Sequence, residues 1–287
     1  MPELPEVEIL SRHLDQQIRG WTILSAQVLR PRVIRPESSE HLIARILQWQ
    51  IIKVARRGKY LVLELTQSQG KQDLIVHLGM TGRLFTGDFV PHPHTAMLWK
   101  CDQGSLIFRD ARTLGRVSLD TTCLDRLGQD PLRDGQPEAT YLRKVMGRSR
   151  ASIKSLLMDQ SRLAGLGNIY ACEILHRAGV HPAKRGDHLV SHEWERLSKA
   201  IGETLSQALQ HGSSCELDWE GGLDRNRFFY FGSAGARRSV SEERFGVYDR
   251  EKAPCRKCGQ AVERIVQAGR SSYFCPNCQS LRRSIPA

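Results

Sequence analysis

The chain has 287 residues, 40% hydrophobic and 25% charged, an ordinary balance for a folded protein and enough length for more than one core. Its 42 Lys and Arg against 31 Asp and Glu leave a formal net charge of +11, which points to a polyanionic partner where that charge meets recognisable binding chemistry. No apolar run approaches a membrane span, and the acidic start (Glu3, Glu6, Glu8) is unlike a signal peptide, so a soluble intracellular protein with no membrane role is expected. In chain order, Val7, Leu10, Leu14 and Ile18 recur at helical spacing, with Pro5 suited to a first turn and Gly20 to a stop. A leading helix is predicted from the very start of the chain. From Trp21 to about Leu119 the pattern is one of short strands, such as Leu61 to Leu65 and Leu74 to Val76, with one helix near 41–47. Cys101-Asp102-Gln103-Gly104 reads as a hairpin turn, and several short antiparallel strands bury themselves best as a sandwich or flattened barrel.

Beyond Pro131 the period becomes helical, with helices predicted over 138–146, 152–158, 168–178 and 191–210. The last carries Trp194, Leu197, Ile201, Leu205 and Leu209 on one face, with Gly212 past its end. The turn at 161–167 contains Gly165 and Gly167 and joins two helices, as in helix-turn-helix DNA binders and in helical hairpins generally. Residues 218–250 lack a period and hold Phe228, Phe229, Tyr230 and Phe231 among Gly, Ser and Arg, which reads as a long basic loop. These shifts divide the chain into 1–130, 131–235 and 236–287.

The cysteines fall into two groups. Cys101, Cys123, Cys172 and Cys215 are scattered, which argues against a disulfide framework and for a reducing compartment. Cys255 with Cys258, and Cys275 with Cys278, are C-x-x-C pairs separated by residues 259–274, the spacing of a four-thiolate zinc site. A closed shell of four thiolates makes that one Zn2+ structural rather than catalytic. Val262 to Val266 alternates as a strand, so a hairpin joins the pairs; so small a segment rarely folds without such a staple.

Four motifs then occur in order: Met1-Pro2-Glu3-Leu4-Pro5-Glu6-Val7-Glu8, His77-Leu78-Gly79-Met80-Thr81-Gly82, Gly165-Leu166-Gly167-Asn168-Ile169-Tyr170-Ala171-Cys172-Glu173, and the cysteine finger with Arg270. Together they resemble the formamidopyrimidine-DNA glycosylase family over essentially the whole chain. The resemblance implies an α+β protein with an antiparallel β-sandwich behind a leading helix, a helix–two-turn–helix domain and a zinc-finger β-hairpin. It also implies a bifunctional enzyme of base excision repair: a glycosylase for oxidised purines (8-oxoguanine, formamidopyrimidines) and an abasic-site lyase nicking by β,δ-elimination. Such an enzyme acts on damaged double-stranded DNA as a monomer in the cytoplasm, at the nucleoid. Alternatives are an endonuclease VIII-like preference for oxidised pyrimidines, and a damaged-DNA-binding protein without catalysis.

By the same resemblance Pro2 is the nucleophile once Met1 is removed, its secondary amine forming an iminium with the sugar C1′. Glu3 is the general acid/base, although an acid there also suits a helix N-terminus. Lys59 and Arg270 act on phosphate and assist the eliminations, Arg270 by charge because guanidinium keeps its proton. Asn168 opens a helix as a phosphate cradle. His77, His92 and Lys154 are further DNA contacts. Met80, Arg112 and Leu114 fill the void left by an extruded nucleotide, as apolar wedges do elsewhere. Asp110-Ala111-Arg112-Thr113-Leu114-Gly115 departs from the family, which commonly has a proline and a phenylalanine there. Residues 218–250 are longer and differently composed than usual, which leaves the lesion class open.

Overall fold

The leading helix, α1 (Leu4–Ile18), forms because Val7, Leu10, Leu14 and Ile18 make one apolar face, and all four are buried. It starts at Leu4 rather than at the first residue because Glu3 serves as its cap in extended conformation, φ −112° and ψ −171°. The Glu3 side chain accepts the backbone N–H of Glu6, and Glu6 Oε2 accepts the Glu3 N–H at 2.9 Å, a reciprocal capping box. Gly20, at φ +91°, then turns the chain away. The computed structural model describes residues 2–68, 70–213 and 245–281; the stretch 214–244, with most of the expected basic loop and Cys215, lies outside the described residues.

Eight strands follow: β1 (Ile23–Val28), β2 (Gln50–Arg57), β3 (Tyr60–Gln67), β4 (Gly70–His77), β5 (Arg83–Thr86), β6 (Thr95–Cys101), β7 (Gly104–Arg109) and β8 (Arg116–Ser118). They make two four-stranded antiparallel sheets, ordered β1-β6-β7-β5 and β2-β3-β4-β8. Leu61, Leu63, Leu74 and Val76 from one sheet and Met97, Trp99, Leu106 and Phe108 from the other pack with the apolar face of α1 in a single core. Helix α2 (Ser39–Ile46) is capped by Ser38, which accepts the N–H of His41 at 3.2 Å. The one-turn α3 (Thr122–Asp125) has no buried residue and no apolar period for a sequence reading to find.

The second compact unit holds α4 (Ala139–Met146), α5 (Ile153–Leu157), α6 (Asn168–Ala178) and α7 (Ser191–Ser213), with β9 (Glu263–Gln267) paired to β10 (Arg270–Phe274). By contacts the first compact unit closes at Arg126; in the second, the Gly128 N–H donates to Gln160 O at 2.9 Å and Gln129 O accepts from Ala164 N at 2.9 Å. Phe274 of β10 packs its ring 4.5 Å from that of His181, just past α6 in the same unit. One expectation is revised here. Helix α7 runs through Gly212 to Ser213, so that glycine does not stop it. Among the described residues no helix is long and apolar enough to cross a membrane.

Candidate functional site

In the first unit, the capping box fixes Glu3 at the head of α1 with only 1% of its surface exposed, while Pro2 beside it is half-buried. Glu8, one turn into α1, accepts from Arg56 Nε at 2.6 Å, and Arg56 Nη1 donates to Gly58 O at 3.0 Å. That pair binds the helix to the β2–β3 hairpin and holds the turn, where Gly58 takes φ +57° and Lys59 follows, largely buried. At this same end of β3, Tyr60 pairs with His77 of β4, their rings 4.8 Å apart, and His77 pairs with Arg116 of β8. Burial, then the charges of Lys59, Arg35 and Arg116, lower the His77 pKa to about 4. His77 is therefore neutral near pH 7. Its Nδ1 accepts the N–H of Gly79 at 3.2 Å, which leaves the ring proton on Nε2.

Gly79 begins a turn that meets the loop after β7. A side chain there would strike Gly115 N and Leu114 C at 2.7 Å, so the two backbones can touch only because position 79, at φ +63°, is glycine. Asp110, fully buried, ties both segments: Oδ1 accepts from Thr81 Oγ1 at 2.5 Å and from Arg112 N at 3.2 Å, and Oδ2 from Gly115 N at 2.7 Å. The outcome is three side chains on one exposed rim. Met80 is 45% and Leu114 42% exposed, and Arg112 Nη1 lies 3.2 Å from Met80 Sδ. His92 is half-buried, its Nδ1 accepting from His94 N at 3.1 Å, and burial with nearby Arg109 lowers its pKa. Asp110 is the residue that sequence reasoning missed as an organiser, because its partners span positions 81 to 115 and leave no local pattern.

In the second unit, α6 begins at Asn168 after Gly167, whose backbone is extended at φ −130° and ψ −157°. Among the described residues, Asn168 Oδ1 is buried and has no hydrogen-bond partner. Gln160 braces the turn by accepting from Gly165 N and donating to Leu166 O, both at 2.8 Å. Lys154, expected as a DNA contact, is 2% exposed, and its Nζ donates to Ser271 O at 2.8 Å and Ser272 Oγ at 2.6 Å, tying α5 to β10, the strand that starts at Arg270. Arg270 itself is exposed, just after the Ala268-Gly269 turn of the finger.

The sulfurs of Cys255, Cys258, Cys275 and Cys278 lie within 4.8 Å of one another, with Cys258 and Cys275 3.5 Å apart. Four soft donors so crowded fit a tetrahedral Zn2+ and leave no open position for a substrate. Val247, Val262 and Cys172 pack beneath them, and Lys257 Nζ caps α6 by donating to the carbonyls of His176 at 3.1 Å and Arg177 at 3.2 Å.

The class this geometry defines is matched by three family models in chain order. They are the formamidopyrimidine-DNA glycosylase N-terminal domain over residues 1–117, the H2TH domain of the same enzymes over 127–218, and the zinc finger found in FPG and IleRS over 253–281. A formamidopyrimidine-DNA glycosylase of Desulforamulus reducens is 38% identical, covering 98% of this chain and 100% of its own. The structure resembles Lactococcus lactis Fpg in complex with abasic-site DNA, at 32% identity, TM-score 0.81 and coverage of 97% and 99%. It likewise resembles an L. lactis Fpg mutant in complex with Fapy-dG containing DNA, at 32% identity, TM-score 0.82 and coverage of 97% and 100%. The chain belongs to the formamidopyrimidine-DNA glycosylase family, and its finger is a one-zinc structural site.

Proposed function

We propose that the protein is a DNA glycosylase of base excision repair that excises oxidised purines, 8-oxoguanine and formamidopyrimidines, and then nicks the strand as an abasic-site lyase. The observation that carries the proposal is the pairing of Pro2 with a buried Glu3 at the capped start of α1. With Met1 removed, the lone pair of the Pro2 amine attacks C1′ and the base leaves with the glycosidic electrons. A secondary amine with pKa near ~8 is partly neutral at cell pH, and its iminium keeps its charge without a proton on nitrogen. Glu3 delivers a proton to the ring oxygen as the sugar opens. Loss of the C2′ proton then expels the 3′ phosphate, and a second elimination expels the 5′ phosphate, with Lys59 and Arg270 balancing phosphate charge.

Asn168, at the start of α6, forms the phosphate cradle; rotating its side-chain amide turns the unpartnered atom from acceptor to donor. Met80, Arg112 and Leu114 fill the gap in the duplex, the two exposed apolar side chains as wedges and the guanidinium toward the unpaired base. His77 supplies a neutral Nε2–H donor, and His92 a contact at the rim. Homologous complexes with abasic-site and Fapy-dG DNA support damaged double-stranded DNA as the partner, and we take the acting species to be a monomer. The test is strand cleavage on duplexes carrying 8-oxoguanine, a formamidopyrimidine or an oxidised pyrimidine. Faster excision of both purine lesions is expected. Preference for the pyrimidine would assign the endonuclease VIII-like specificity instead, and tight binding with no base release would make the protein a damage binder.

A further inference from the structure

Helix α6 does more than open on Asn168. Its inner face grips the zinc knuckle of the same unit through three residues. Glu173 accepts the backbone N–H groups of Gly246, Val247 and Tyr248 at 2.7, 3.0 and 2.9 Å, which anchors the segment leading into the finger. The carbonyls of His176 and Arg177 receive Lys257, which sits between the first pair of cysteines. The third contact reaches a sulfur: His176 Nε2 lies 3.3 Å from Cys255 Sγ. Both residues are buried, His176 at 4% and Cys255 at 3% exposure.

The ring has little freedom to be there by accident. A Cβ on Gly246 would meet His176 Nδ1 at 2.7 Å, so the far edge of the imidazole lies against a backbone that must be glycine, itself held by Glu173. A zinc-bound cysteine is a thiolate with no proton to give, so the hydrogen in the 3.3 Å contact belongs to Nε2. Outer hydrogen bonds of this kind orient a metal ligand and draw electron density from it.

We propose that His176 is a positioning residue of the zinc site, donating Nε2–H to the Cys255 thiolate and thereby retaining the metal. The sulfur becomes a poorer target for protons and electrophiles, and its rotamer is fixed for coordination. The helix that carries Asn168 is in this way hydrogen-bonded directly to a metal ligand of the hairpin that carries Arg270.

The test compares His176→Gln with His176→Leu in zinc-loaded full-length protein, following zinc transfer to a chromogenic chelator and alkylation of Cys255 by iodoacetamide. Glutamine restores an N–H donor near the position of Nε2, whereas leucine restores apolar volume only. The proposal expects transfer and alkylation about ten-fold faster in the leucine variant and close to wild type in the glutamine variant. It is overturned if the glutamine variant is as fast as the leucine variant or faster, or if neither differs from wild type. Should the leucine variant fail to fold, long-range proton–nitrogen spectra of the wild-type holoprotein decide. A His176 ring protonated at Nε2 supports the hydrogen bond, and one protonated only at Nδ1 rules it out.

Discussion

In the proposed function, folding and chemistry share the side chain of Glu3. As the cap of α1 it accepts the Glu6 N–H, a role that an amide can also fill, whereas proton delivery to a sugar oxygen requires the acid. Glu3→Gln is therefore expected to lose at least about 100-fold in base release, while its unfolding free energy in urea changes by no more than about 1 kcal/mol. A comparable loss in stability would make the residue a cap and nothing else. His77 carries a pH signature. Its folded pKa, near 4, lies below the ordinary 6.5, so between those values the unfolded chain binds a proton that the folded chain refuses. Stability contributed this way is complete above about pH 6.5 and falls on acidification toward pH 4, by up to about 1.4 kcal/mol per pH unit. Urea titrations of wild type and His77→Gln across that range should diverge, with the variant less steep. The places of Pro2, Glu3 and Asn168 were legible in the sequence because they sit at the starts of α1 and α6 in ordered motifs. The contacts of Lys154 were not, since nothing near position 154 announces that its partners lie on β10, at Ser271 and Ser272.

Elements were easiest to read where local chemistry ends them. Helix α6 matches its expected bounds because Gly167 precedes it and Gly179, at φ +66°, closes it in the left-handed region. Helix α7 overran its expected end because helical backbone tolerates glycine at a cost of only about 1 kcal/mol. The loop after β7 was harder still: its conformation is set by Asp110, whose bonds cross from Thr81 to Gly115. Asp110→Ala should leave those donors buried and unsatisfied, lowering stability by about 2–3 kcal/mol in urea unfolding and slowing excision from duplexes by releasing Met80 and Leu114 from their rim. A stable, fully active variant would remove Asp110 from the account. The finger is the opposite case, fixed by four cysteines and legible from spacing alone. Cys275→Ser should release zinc and weaken duplex binding together, measured by metal analysis and by gel shift; intact affinity without zinc would separate the metal from DNA binding.

Across the molecule, the sandwich unit carries Pro2, Glu3 and the rim of Met80, Arg112 and Leu114, and the helical unit carries Asn168 at the start of α6 and Arg270 of the finger. The formal net charge of +11 suits a polyanion, and family membership makes that polyanion DNA in the proposed function. Neither fact establishes imine chemistry, which is the central claim. Borohydride reduction during turnover tests it most directly, since only an iminium between protein and sugar is converted to a stable covalent link. With Met1-processed protein and 8-oxoguanine or abasic-site duplexes, the account predicts a trapped adduct whose peptide map places the sugar on Pro2, and none with an acetylated N-terminus. An adduct mapped to a lysine, or no adduct while binding and base release persist, would contradict it.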